Sequence, residues 1–119
     1  MSKEFLKIAT DEINYEISQI QNIVSSCPTS HEICKNAAQI QKSTHKIKGL
    51  APMMGKEELG ILSGLLDSVF KKISDIAITD EMFDLLKNAV SEMKNSMIYN
   101  DYDLNEIKQK ISQMSSAFY

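Results

Sequence analysis

Ile40-Gln41-Lys42-Ser43-Thr44-His45-Lys46-Ile47-Lys48-Gly49-Leu50-Ala51-Pro52-Met53-Met54-Gly55 reads as the second half of an amphipathic helix. The apolar stripe starts upstream and runs Ile33, Ala37, Ile40, Thr44, Ile47, Ala51, Met54, in steps of three or four residues. Thr29-Ser30-His31-Glu32 opens this helix as a capping box, a hydroxyl with a glutamate three residues on. Gly55 closes it, where a left-handed cap costs glycine little. At about 100° per residue, His45 falls roughly 100° from Thr44 and roughly 160° from Ile47, so it leaves the core face. Its neighbours one turn away are Gln41, Lys42, Lys48 and Gly49. Pro52 lacks an N–H and crowds the Lys48 carbonyl, which predicts a kink or an early end about one turn after His45.

Four more helices extend outward from this one. A first helix runs from about Lys3 to Val24, with Leu6, Ala9, Ile13, Ile17, Ile20 and Val24 on one stripe, and Ser25-Ser26-Cys27-Pro28 ends it. A third spans Lys56 to about Ser74 with Leu59, Leu62, Leu66, Val69 and Ile73 inward, and Glu57 and Glu58 in the first turn suit the helix dipole. A fourth follows Thr79-Asp80-Glu81 and carries Phe83, Leu86, Val90, Met93 and Met97. A fifth starts at Asp103, box-capped by Glu106, and carries Leu104, Ile107, Ile111 and Met114. Short connections make consecutive helices antiparallel neighbours. The expected fold is all-α: an up-down-up-down four-helix bundle with a fifth C-terminal helix, forming a single domain over 1–119. The seven methionines are expected to fill core gaps.

Composition removes several function classes. The chain has 119 residues, 43 % hydrophobic, four Gly and two Pro, which fits one helical core and not a disordered tail. Net charge is −3, so no general basic field attracts nucleic acid or anionic lipid. All thirteen cationic side chains are lysine, so any phosphate contact uses the ammonium point charge and not a guanidinium fork. No apolar run approaches the roughly 18 residues of a membrane span, and Met1-Ser2-Lys3-Glu4-Phe5 does not read as a signal peptide. The expected location is cytoplasmic, with Cys27 and Cys34 reduced. Cys27, His31 and Cys34 offer three metal ligands without a fourth, and no Glu-x-x-His pair occurs, so no metal site is expected.

What remains is the chemistry around His45. A neutral imidazole nitrogen is a nucleophile for a phosphoryl group, and the product carries close to two negative charges. Lys48 and Lys42, each within one turn, would neutralise them. Gly49 lacks a Cβ and clears the approach of a partner, at a cost of about 1 kcal/mol in helix propensity. A breach of a folding rule beside the proposed chemistry is where such a breach belongs. An isolated surface histidine means little, and His31, which has no such surroundings, reads as an ordinary exposed residue. From its residues alone, Asp67 reads as a solvated surface acid.

The run His45-Lys46-Ile47-Lys48-Gly49-Leu50-Ala51-Pro52-Met53-Met54-Gly55 resembles the motif of the histidine phosphotransfer (HPt) family, His-x-[Leu/Ile]-Lys-Gly-x-[Ala/Ser]-x-x-[Met/Leu/Phe]-Gly, at every specified position. The five-helix layout is similar to the N-terminal phosphotransfer domain of the CheA-type chemotaxis histidine kinases. The resemblance implies that His45 is the phosphoacceptor, through Nε2, and that Lys48 neutralises the phosphoryl group. It also implies that a carboxylate on the third helix, at the position of Asp67, hydrogen-bonds the other ring nitrogen. That family usually has glutamate there. Aspartate is one methylene shorter, so contact needs a bridging water or closer helices. Gly60 and Gly64, four apart on one face, are expected to allow that approach. Gly64 stands where the kinases often carry a second histidine.

The implied function is two-component phosphotransfer: His45 receives a phosphoryl group derived from ATP on a separate histidine kinase catalytic domain and passes it to an aspartate of a response-regulator receiver domain. The chain has no ATP-binding glycine boxes or Walker pattern, so it has no expected catalytic activity alone and no bound cofactor. The resemblance implies a monomeric domain of a larger kinase. The alternatives are a free-standing relay protein and a non-catalytic helical interaction module.

Overall fold

The computed structural model describes residues 2–73 and 76–118. Among them all regular structure is helical: α1 (Lys3–Ser26), α2 (Ser30–Lys35), α3 (Ala37–Leu50), a 3-10 turn (Pro52–Met54), α4 (Glu57–Ile73), α5 (Asp80–Ile98) and α6 (Asn105–Ser116). The expectation that the third helix reaches Ser74 falls outside the described residues.

The cap expected at Thr29 forms, and Thr79, expected only to precede a helix, caps one as well. Thr29 accepts from the Glu32 N–H and Thr79 from the Met82 N–H, which satisfies two orphan donors at the starts of α2 and α5. Before α6 the capping differs from the box expected at Asp103. Asp103 Oδ1 accepts from the Asn105 N–H at 2.8 Å, a short Asx turn, and the helix begins two residues later than expected.

The helix expected from Thr29 to Gly55 is interrupted twice. Asn36 takes φ −101° and ψ 5° between α2 and α3. Its side-chain amide donates to the Glu32 carbonyl at 2.9 Å, competing with the backbone for that acceptor. The second interruption is the one Pro52 predicts. α3 ends at Leu50, and the chain tightens into the 3-10 turn. Gly55 then adopts φ +86°, and the Lys56 N–H closes back on the Ala51 carbonyl at 2.9 Å.

One continuous core holds the helices. Ile13, Ile20, Ile33, Ile40, Ile47, Leu62, Leu66, Phe70 and Leu86 are fully buried within it. Each contributes about 1.5–3 kcal/mol on burial, far more than any surface ion pair. Leu6, expected on the α1 stripe, is instead exposed near the helix start. Met54, Met93 and Met114 fill the core as expected, whereas Met53 lies 62 % exposed. α1 packs against α3 and α5, and α4 also packs against α3 and α5, so these four elements form a closed ring of neighbours. α6 lies on α4 and α5. The radius of gyration is 13.7 Å, close to the roughly 13.5 Å of a compact chain this long.

The α3–α4 interface is the most extensive, and two glycines of α4 set its spacing. The Pro52 ring rests on Gly60 so closely that a Cβ there would come 2.6 Å from its Cγ and 2.9 Å from its Cδ. The aliphatic stem of Lys48 lies over Gly64, at 3.6–3.8 Å from where a Cβ would be. Gly49 differs from both, because a Cβ there meets nothing within 4 Å.

These environments predict opposite outcomes for one type of substitution. Gly60→Ala drives a methyl into a rigid ring and should lose stability by about 1 kcal/mol net, overpacking outweighing the gain in helix propensity. Gly49→Ala should gain up to about 1 kcal/mol, since nothing in the chain opposes the methyl. Urea denaturation of the two variants measures both signs.

Candidate functional site

Burial of Ile40, Thr44 and Ile47 fixes the rotation of α3 and turns His45 outward. The His45 side chain is 63 % exposed. Thr44, fully buried, satisfies its hydroxyl by donating to the Gln41 carbonyl at 3.0 Å. It can therefore occupy a core position without an unpaired polar atom.

Across the interface, Leu62, Leu66 and Phe70 of α4 point into the core and carry Asp67 to the seam facing α3. The solvated acid expected from the residues alone is not what this position holds. The Asp67 side chain is only 3 % exposed. A carboxylate this deep requires partners, and four stand around it among the described residues. Gln41 Nε2 donates to Oδ1. Around Oδ2 lie His45 Nδ1 at 3.5 Å, Lys48 Nζ at 3.8 Å and Lys71 Nζ at 3.8 Å.

The shorter acid thus reaches the ring without a bridging residue, because Gly60 and Gly64 let α4 lie close to α3. The 3.5 Å contact is long beside the roughly 2.9 Å of a good N–H···O bond. Contacts that orient a reacting group often tighten only when the reaction partner arrives. With Nδ1 turned to the carboxylate, Nε2 is the nitrogen left to solvent. An acceptor at Nδ1 holds the ring proton there and leaves the Nε2 lone pair free.

The lysines divide into three kinds. Lys48 and Lys71, 51 % and 61 % exposed, extend from α3 and α4 toward the same carboxylate oxygen. Lys42, one turn before His45, is exposed and joins none of the Asp67 ion pairs among the described residues. Lys46 turns the other way, to Glu16 of α1, at 3.3 Å. Glu16 is itself a buried carboxylate, its side chain 5 % exposed. Gly49, one turn beyond His45, leaves an open step in the surface.

Sequence reasoning brings together His45, Lys48 and Asp67, and misses Gln41 and Lys71 as partners of the acid. Both carry a signal. Gln41 precedes His45 by four residues on α3, and Lys71 follows Asp67 by four on α4, the spacing at which helical side chains meet. Glu16 gives less warning, since it lies beside an apolar stripe that steps from Ile13 to Ile17 without it.

The arrangement sets an exposed imidazole beside a buried carboxylate, with two ammonium groups within 4 Å of that carboxylate. The cysteines are not competing nucleophiles. Cys27 is buried, with its thiol against the Ile23 carbonyl at 3.1 Å, and Cys34 is half-buried beside Ile76 and Ile78. Burial pushes both thiols above their ordinary range, which keeps them protonated at neutral pH. Iodoacetamide at pH 7.5 should therefore label both more slowly in the native protein than in urea, as followed by mass spectrometry.

Comparison with protein-family models, curated proteins and solved structures finds no match.

Proposed function

We propose that this chain is a histidine phosphotransfer domain of two-component signalling, with His45 as the phosphoacceptor. The observation that carries the reading is the exposed imidazole whose Nδ1 faces a buried carboxylate while two ammonium groups stand within 4 Å of that carboxylate. In this reading α1, α2 with α3, α4 and α5 form an up-down-up-down four-helix bundle with α6 attached. The closed ring of neighbours supports that arrangement. The domain works in the cytoplasm, as a monomeric part of a histidine kinase, and has no catalytic activity alone.

The reaction follows from the ring geometry. Nε2 attacks the terminal phosphorus of ATP held on a separate kinase catalytic domain. The Nε2–P bond forms as the bond from phosphorus to the ADP oxygen breaks. The proton stays on Nδ1, so the phosphorylated ring carries a formal positive charge that the facing Asp67 carboxylate offsets, and the added negative charge is that of the phosphoryl group. Lys48 and Lys71 turn from the carboxylate toward that charge, and Lys42 approaches from the preceding turn. In the second step an aspartate oxygen of a receiver domain attacks phosphorus and the Nε2–P bond breaks. Gly49 leaves room for either partner beside the ring.

The test uses a CheA-type kinase core and labelled ATP. The wild-type chain should take up acid-labile, base-stable label, and His45→Gln should take up none. Label that persists in His45→Gln, or no label with a competent kinase, would leave a helical interaction module as the better reading.

Lys48→Ala should slow labelling about fivefold, as expected for loss of about 1 kcal/mol from an exposed charge. The deficit should shrink in about 1 M salt, where the screening length is about 3 Å. Asp67→Ala should slow labelling with the fold retained, because the core and not this cluster holds α3 on α4; circular dichroism checks the fold.

A further inference from the structure

Asp67 has a short side chain and two oxygens with unequal duties. Oδ2 faces His45, Lys48 and Lys71. Gln41 donates to Oδ1. The two ammonium groups stand 3.8 Å from Oδ2, beyond hydrogen-bond reach, and the His45 contact is long. None of these three fixes the rotation of the carboxylate about its Cβ–Cγ bond. Gln41 does: it is half-buried, it projects from α3 one turn before His45, and its amide donates across the seam.

We infer that Gln41 is a positioning residue that acts on His45 through Asp67. Its amide Nε2 holds Oδ1 and so keeps Oδ2 directed at His45 Nδ1. This sets the imidazole tautomer, with the proton on Nδ1 and the lone pair on Nε2. The effect compensates for the missing methylene of the acid. A longer carboxylate could follow the ring, whereas this one must be held in place. Without Gln41 the carboxylate turns to share both oxygens with the lysines, and the ring loses its acceptor. A neutral imidazole without such an acceptor favours the proton on Nε2, which is then no nucleophile. The tautomer claim stands on geometry; only its kinetic consequence rests on His45 being the phosphoacceptor.

Long-range 1H–15N correlation spectra of the labelled full chain, at a pH where His45 is neutral, read the tautomer directly. The wild type should show the Nδ1–H form. Gln41→Met, of similar length but without a donor, and Gln41→Ala should both shift His45 toward the Nε2–H form. Gln41→Lys, which restores a donor, should keep the Nδ1–H form. Circular dichroism melts check that all four proteins are folded.

An unchanged tautomer in both donor-lacking variants would overturn the inference, as would an Nε2–H wild type. A kinase-independent donor, phosphoramidate, supplies the second readout: its N–P bond breaks with release of ammonia as Nε2–P forms. Labelling of His45 should slow several-fold in Gln41→Met and recover in Gln41→Lys. Should the tautomer shift as expected while wild-type His45 takes no phosphoryl group from either donor, the positioning role stands and the carrier reading falls.

Discussion

A carboxylate buried between two helices must have its charge and lone pairs met by the groups around it, or it destabilises the contact it sits in. Asp67 is such a group, and its four partners account for most of the polar architecture at the α3–α4 seam. Three of those partners lie on α3, so the acid on one helix dictates which side chains the other must present. The partners are also partly exposed, which makes the cluster adjustable in a way a sealed salt bridge is not. The polar cluster therefore orients side chains, while the apolar core beneath it supplies the stability.

Close approach of the helices makes this possible. The acid has only one methylene, so the distance between α3 and α4 has to be small enough for it to reach across. The Pro52 ring seated on Gly60 and the Lys48 stem laid over Gly64 set that distance. Proline also ends α3 one turn past His45, which lets the chain tighten into a 3-10 turn and enter α4 through Gly55. A residue usually read as a defect in a helix thus serves as a spacer between two.

Much of this was legible in the sequence, because it depends on local rules. The apolar stripes, the cap at Thr29, the stop at Pro52 and the left-handed Gly55 depend on neighbours within one turn. The outward direction of His45 followed from the same periodicity. What was not legible depends on distance in three dimensions. Nothing local makes Asp67 buried, since its burial comes from how closely α4 lies against α3. Gln41 and Lys71 had suitable spacings, but spacing alone does not say which of many surface residues meets an acid. The break at Asn36 was missed because a side-chain amide competing for one carbonyl leaves the apolar period intact.

Glu16 adds a consequence of its own. Two consecutive residues of α3, His45 and Lys46, point about 100° apart, and each is drawn to an acid on a different neighbour. Asp67 draws the first toward α4 and Glu16 draws the second toward α1. A twist of α3 about its long axis in either sense stretches one of these two attachments. The azimuth of the imidazole is thereby stayed from both sides, as a mast is by opposed lines, and a force applied to the far side of α1 has a mechanical route to the ring.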